Sequence, residues 1–349
     1  MWFKIKNFLL KHERRLSSAA LILGFLVDSL TLRRADLYAE NLALVAYVAI
    51  IALAIILVNV SEERSWGQKF LARFHSIFLI AMQFAIGGIF SALLVFYSRS
   101  ATFAASWPFL FLLLLQLIGN EFLREKYARL QMQVSLLYFA IFSYLIFLVP
   151  VAVKRIGSSQ FILSGFLSLL IVYLFVKFLR ILIPIRFQET KRALIWSVGG
   201  VFFLINVLYF TNTIPPVPLV LKESGIYHSV SRQPDGSYLL SGGKPNWRDF
   251  FKSYLPIYLK SGEPLYAFSA IFAPTKFSLA IFHSWEYLDS ATGKWVKFDR
   301  VALPISGGRE GGYRTYSVKS DLMPGLWRVN IETASGQIVG QLKFEVLAK

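Results

Sequence analysis

The chain has 349 residues, of which 56% are hydrophobic and 16% are charged. Soluble proteins are typically about 45–50% apolar and about 25% charged, so this composition excludes an ordinary soluble protein and indicates a membrane protein. Cysteine is absent, which excludes disulfides, thiol catalysis and cysteine-based metal sites. The net charge of +17 lies between apolar segments and forms no interleaved basic face, so we expect no nucleic-acid partner.

The first predicted elements are apolar segments without charge, each about as long as the 20 residues that cross a bilayer. Six such segments occur: Asn41–Val60, Ser76–Ser98, Ser100–Asn120, Leu130–Val153, Ile156–Val176 and Ala193–Leu221. The last is expected to leave the membrane near Asn212, and Leu16–Leu32, interrupted by Asp28, is a seventh candidate. We predict a membrane all-α helical bundle of about seven transmembrane helices over residues 1–212, embedded in bilayer lipid.

The positive charges between these segments favour seven spans over six. With seven, one side of the membrane carries about 16 Lys and Arg and the other about 5, whereas with six the numbers are about 10 and 11. Because positive loops stay in the cytoplasm, the N-terminus is predicted to be cytoplasmic. The segment after Asn212 is then periplasmic, in a multi-pass protein of a bacterial inner membrane.

Residues 213–262 are predicted to be an extracytoplasmic connector, since proline, glycine and charge return there. Within it, aromatic and apolar residues recur at helical spacing: Trp247, Phe250, Phe251, Tyr254, Leu255 and Tyr258. We predict a short amphipathic helix, which packs either on the following domain or on the outer membrane surface.

Residues 264–349 show the alternation of half-buried strands. Trp327, Val329 and Ile331 alternate with polar residues, as do Phe344 and Val346. Turn residues divide the segment into about six strands. We therefore predict a C-terminal all-β immunoglobulin-like sandwich.

Several aromatic, basic and glycine positions in this segment occur in a known combination. They are His283-Ser-Trp285, Pro304, Gly312-Tyr-Arg314-Thr-Tyr316-Ser317-Val-Lys319, Gly325-Leu-Trp327-Arg-Val329, Gly336 and Phe344-Glu-Val346. This pattern resembles the bacterial family called domain of unknown function 2914. The resemblance implies a domain that often follows a multi-span membrane region, and it implies no assigned activity.

Catalytic chemistry is not indicated by the sequence. Only two histidines, His228 and His283, follow Asn212, and no HxH or HExxH spacing is present, whereas a zinc site usually needs at least three protein ligands. His283 is interpreted as a strand residue hydrogen-bonded beside Trp285, with a metal ligand or a base as the alternative. We expect no enzyme activity, no metal and no cofactor.

A candidate partner surface is expected on the C-terminal domain, because aromatic faces stack on sugars and arginine forks bind carboxylate or phosphate. Its residues are His283, Trp285, Tyr287, Tyr313, Arg314, Tyr316, Lys319 and Arg328. The alternative is a solvated strand face above core aromatics. The loop Ser306–Gly312 would instead contact lipid headgroups. The first hypothesis is therefore a non-enzymatic protein whose outward-facing sandwich binds an envelope protein, glycan or lipid partner.

Polar residues inside the apolar segments suggest a second hypothesis, a transporter or channel subunit. They are Asp28, Gln83, Gln116 and Asn206. An intramembrane carboxylate costs a few kcal/mol unless it pairs, protonates or reaches water. Asp28 is therefore either a coupling site or a residue that pairs near the interface. Gly87 and Gly88 are predicted to allow close helix packing.

Overall fold

The structure is a computed structural model, and it describes residues 25–26, 28–32, 37–63, 75–100, 103–122, 129–242, 254–260, 262–275 and 277–349. The chain divides into two compact units, a helical unit and a β-rich unit. The β-rich unit comprises Asn212–Lys349 together with the short segments Arg99–Trp107 and Pro150–Ser158.

Long apolar helices dominate the described part of the chain before Asn212. Their bounds are α1 Tyr38–Glu62, α2 His75–Ser100, α3 Phe103–Phe122, α4 Leu130–Val153, α5 Ser158–Leu182 and α6 Pro184–Phe210. Five of them, α1, α2 from Ile77, α4, α5 and α6, are long and apolar enough to cross a membrane. The prediction of a polytopic helical region is confirmed at this level.

Two of the seven predicted spans are described less completely. Most of Leu16–Leu32 lies outside the described residues, and within it residues 25–26 and 28–31 are helical. Helix α3 occupies the predicted third span, and its apolar stretch is Ser106–Gly119. The number seven therefore stays a prediction.

The charged segment between the last two predicted spans is helical, where the sequence indicated a loop. Helix α5 continues to Leu182 and α6 starts at Pro184, so Ile183 alone separates them. Lysine, arginine and glutamate are good helix formers, and proline suits the first turn of a helix. The charged residues therefore belong to the two helices, which continue beyond their apolar parts.

Helix α4 lies at the centre of the helical unit. Its aromatic side chains pack on α2, where the Phe90–Phe139 ring centroids are 5.5 Å apart. Its backbone accepts hydrogen bonds from Tyr97 of α2, at 2.7 Å, and from Ser164 of α5, at 2.9 Å. Helices α5 and α6, in contrast, expose large apolar side chains such as Phe166 and Trp196, as lipid-facing helices do.

The described part of the β-rich unit contains ten strands. They are β1 Val220–Tyr227, β2 Ser229–Arg232, β3 Tyr238–Ser241, β4 Leu255–Leu259, β5 Leu265–Phe272, β6 Ser278–Asp289, β7 Lys294–Ser306, β8 Tyr313–Lys319, β9 Gly325–Thr333 and β10 Ile338–Ala348. One sheet has the order β1-β5-β8, a second has β4-β10-β9-β6-β7, and β2 pairs with β3 as a hairpin. The β-rich C-terminal region is confirmed.

The inward-facing residues of the two larger sheets share one core. Alternate residues of β9, among them Trp327 and Val329, meet Leu265 and Ala267 of β5 in this cluster, and Trp285 of β6 joins them. On its other face the three-stranded sheet packs against the β2–β3 hairpin. The period-2 pattern of the sequence corresponds to these faces.

The prediction that residues 213–262 form a separate connector is wrong. Strand β1 pairs antiparallel with β5, and β4 pairs parallel with β10, so residues before 264 complete both sheets. Strand β4, Leu255–Leu259, lies at the end of the predicted amphipathic helix. Sheet pairing and the burial of Ile257 and Leu259 in the core outweigh the local helical spacing. The rest of that helix, in residues 243–253, lies outside the described residues.

A candidate anion cleft in the β-rich unit

His283 and Trp285 lie in the core of the β-rich unit, and both are fully buried. The two ring nitrogens of His283 hydrogen-bond to the hydroxyls of Ser269 and Ser317, each at 2.9 Å. Trp285 donates its indole N–H to Ser317 at the same distance. Burial lowers the pKa of His283 to about 4. These two residues therefore cannot contact a partner at the surface.

The other residues of the expected partner surface are divided between the two sheets. Arg314 and Tyr316 alternate outward on β8, on the face of the three-stranded sheet that also carries the β2–β3 hairpin. Arg328 lies on the outer face of the five-stranded sheet, where it pairs with Glu286 at 2.6 Å and covers the Trp295 ring. The predicted residues do not form one face.

The remaining members of that set have structural partners. Lys319 pairs with Asp299 of β7, and this contact lowers the pKa of the Asp299 carboxyl. Tyr287 packs on Trp327, with ring centroids 5.6 Å apart. Tyr316 packs on Tyr238 and Tyr266, so Tyr313 and Arg314 are the two members that remain at one site.

Tyr313 and Arg314 border a cleft of about 250 Å³. The cleft lies between the tip of the β2–β3 hairpin and the start of β8. Its lining residues are Arg232, Gly236, Tyr238, Arg309, Gly311, Gly312, Tyr313 and Arg314. Three arginines and two tyrosines therefore line one cleft.

Local backbone geometry fixes both walls of the cleft. Gly236 has a φ of +82° in the hairpin turn, and Gly312 has a φ of +83° where the chain enters β8. A Cβ at Gly312 would lie 2.9 Å from backbone atoms of Ala270 and Ile271, so only glycine fits there. Tyr238 anchors the hairpin by packing on Phe268, with centroids 5.7 Å apart.

The charge of the cleft is unbalanced within the described residues. No carboxylate is among its lining residues there. Asp235 at the hairpin tip accepts hydrogen bonds from the side chain and backbone of Ser237, which lower the pKa of the Asp235 carboxyl. Two other arginines of the sheets are paired, Arg300 with Glu332 and Arg328 with Glu286. The cleft therefore has the composition of an anion site.

Sequence reasoning found Tyr313 and Arg314 but missed Arg232, Arg309 and Tyr238. Arg309 belongs to the loop that was considered for lipid contact, and its guanidinium lies 4.8 Å from the centre of the Tyr313 ring. Arg232 precedes the Pro234-Asp235-Gly236 turn and Tyr238 follows it, but both residues lie far from β8 in sequence. Only hairpin packing on the sheet brings them to it.

The intramembrane polar candidates do not converge in the structure. Asp28 accepts a hydrogen bond from Ser91 of α2, and Asn206 donates to Phe202 O on its own helix at 2.8 Å. Gln83 and Gln116 are half-buried on α2 and α3. A pair that the sequence analysis missed, Asn59 of α1 and Gln133 of α4, is fully buried, with a 2.6 Å hydrogen bond.

Residues 279–346 match the family model described as "Protein of unknown function (DUF2914)". The resemblance noted from the sequence is thereby confirmed for the C-terminal part of the chain. The match covers Arg309, Tyr313 and Arg314 of the cleft but neither Arg232 nor Tyr238. Among the described residues, no group of three or more His, Cys, Asp or Glu is placed to hold a metal ion.

No curated protein matches the sequence. Of the solved structures, a β-glucosidase from Listeria innocua aligns at 18% identity over 28% of this chain, with a TM-score of 0.20. This chain spans 15% of that enzyme. The alkylpurine DNA glycosylase AlkC of Pseudomonas fluorescens, bound to DNA with an abasic site analogue, aligns at 13% identity over 88% of this chain and 99% of its own, with a TM-score of 0.21. Scores this low support no structural argument.

Proposed function

We propose that this protein is a non-enzymatic membrane protein whose helical bundle anchors a ligand-binding β domain at the outer side of a bacterial inner membrane. The observation that supports this role is the cleft lined by Arg232, Arg309 and Arg314. Arginines that line one cleft, with no carboxylate among its described lining residues, suit negatively charged groups on a protein, glycan or lipid partner.

The proposed topology has seven spans, a cytoplasmic N-terminus and a periplasmic β domain. The asymmetry of Lys and Arg between alternate loops, about 16 to 5, supports it. Helix α3, with 20 residues, is about 30 Å long and suits the third crossing. Asp28 would then lie near the outer end of the first span.

For the β domain we propose an immunoglobulin-like sandwich. If β1, β5, β6, β8, β9 and β10 are named A, B, C, E, F and G, the sheet orders become A-B-E and G-F-C. That division of strands is the one found in immunoglobulin domains. A buried tryptophan on strand C is a further hallmark of such domains, and Trp285 lies at this place.

Substitution of the cleft tests the binding role better than deletion of residues 264–349, because deletion would leave β1 and β4 without partners. In a deletion strain with a measurable growth or envelope defect, Arg309→Ala/Arg314→Ala should fail to complement. The control Lys297→Ala/Lys343→Ala removes two exposed charges outside the cleft and should complement. If both variants complement equally at equal protein levels, the cleft has no such role.

A transporter or channel subunit is the second candidate, favoured by the contact between Asp28 and Ser91 of α2. Asparagine at position 28 would still accept the Ser91 hydrogen bond while it removes the charge. Asp28→Asn should therefore preserve protein level and folding but abolish complementation. Wild-type behaviour of this variant would eliminate the transport hypothesis.

A further inference from the structure

We propose that the cleft binds a phosphate monoester, carried either by a small soluble molecule or by a lipid headgroup. This inference rests on the proposed binding role of the β domain. It assigns the chemical class of the ligand from the number, type and placement of the groups that line the cleft.

The first argument is electrostatic. Arg232, Arg309 and Arg314 line a cleft of about 250 Å³, and the described lining residues include no carboxylate. Like charges at short range repel, and arginine side chains carry a positive charge in proteins. A ligand with one negative charge would leave most of this repulsion in place, whereas a phosphate monoester carries about −1.5 to −2 at pH 7.

The second argument concerns hydrogen-bond geometry. A guanidinium presents five N–H donors in a planar fork, which pairs with two oxygens of one acceptor group. A carboxylate has two oxygens for three such forks, whereas a phosphate monoester has three terminal oxygens. Lysine would supply charge without the fork, and among the described lining residues the cations are all arginine.

The third argument concerns size and the rest of the ligand. The cleft volume of about 250 Å³ equals the volume of about eight water molecules, which suits a small headgroup. Tyr238 and Tyr313 line it beside the arginines, and their rings are held by Phe268 and by Arg309. They provide aromatic faces for the organic part that is esterified to the phosphate.

The test uses the purified full-length protein in phosphatidylcholine nanodiscs and phosphate-free buffer. Glycerol 3-phosphate is the monoester probe, and glycerate is a carboxylate of similar size. Glycerol 3-phosphate should raise the Tm of the wild type and of Lys297→Ala/Lys343→Ala, since binding to the folded state stabilises it. Arg309→Ala/Arg314→Ala should bind it about tenfold more weakly or worse. Arg314→Lys, which keeps the charge and loses the fork, should also bind more weakly.

A lipid arm separates the two sources. If a lipid headgroup is the ligand, phosphatidic acid in the nanodisc should abolish the effect of glycerol 3-phosphate, and the diester phosphatidylglycerol should not. If the soluble ester is the ligand, neither lipid should interfere.

Three results would overturn the phosphate assignment: no Tm change with glycerol 3-phosphate, an equal change with glycerate, or a change that persists in Arg309→Ala/Arg314→Ala. The binding role itself fails separately, when that variant complements the deletion strain.

Discussion

Each ring nitrogen of His283 has a serine hydroxyl as its partner, and the imidazole is sealed between the two sheets. Ser269 and Ser317 belong to the three-stranded sheet, whereas His283 and Trp285 belong to the five-stranded one. The network therefore joins the two sheets through hydrogen bonds, in a chain that has no cysteine to form a disulfide. A buried polar group without such partners would cost about 1–3 kcal/mol.

At the residue scale this network predicts acid sensitivity. The pKa of His283 falls from 6.5 to about 4 on folding, so the unfolded state binds the proton first, and stability is lost as pH falls through this range. The half-buried carboxyls whose pKa folding lowers, such as Asp289 and Asp299, lose their contribution only at more acidic pH. Between pH 6.5 and 5 the β domain should lose about 2 kcal/mol of unfolding free energy.

Urea unfolding of the full-length protein, followed by tryptophan fluorescence, measures this loss. His283→Gln keeps hydrogen-bonding groups but does not titrate, so its stability should change little over the same pH interval. An equal loss in His283→Gln would show that another group is responsible.

At the scale of elements, helices α1 and α2 meet closely at Gly88. A Cβ at this position would lie 2.6 Å from the Tyr47 ring, so glycine is what permits the approach. The prediction of close packing from Gly87 and Gly88 agrees with this contact, but the partner, an aromatic ring from α1, was not predictable. Spacing along one helix does not identify the helix that faces it.

The contact predicts that Gly88→Ala destabilises the helical unit by about 1–3 kcal/mol through overpacking. Tyr47→Ala in the same chain should relieve the loss, because it removes the ring. Gly199→Ala is the matched control, since nothing lies within 4 Å of its Cβ position in α6, and it should be neutral or slightly stabilising. Thermal unfolding in detergent measures all four proteins. Equal effects at positions 88 and 199 would contradict the packing argument.

At the scale of the whole molecule, the proposed topology predicts which segments reach the periplasm. The chain has no native cysteine, so single cysteines at Ser65 and Ser306 can be labelled in intact cells with a thiol reagent that does not cross the inner membrane. Ser306 is exposed at the end of β7. It should react, and Ser65, in the predicted cytoplasmic loop, should not.

The reverse pattern would place the β domain in the cytoplasm. The charge-based orientation would then be wrong, and the ligand of the cleft would have to be sought among cytoplasmic phosphate esters. Labelling of both positions only after permeabilisation would also contradict a periplasmic domain.

The sequence by itself determined the properties that depend on local composition and period. Apolar runs such as Leu130–Val153 predicted helices because a bilayer requires about 20 such residues, and α4 has these bounds. The alternation around Trp327 predicted a half-buried strand because side chains of a strand point to opposite faces in turn, and β9 contains it.

Only the tertiary structure decided which distant residues meet. Leu255–Leu259 has helical spacing and becomes a strand, because β10 offers a pairing edge that no local pattern reveals. Arg232 reaches Arg309 and Arg314 because the β2–β3 hairpin packs on the three-stranded sheet. His283 turns inward and Arg314 outward because register, set by pairing with neighbouring strands, selects the face of each residue. The sequence therefore determined the elements, and long-range pairing created the cleft.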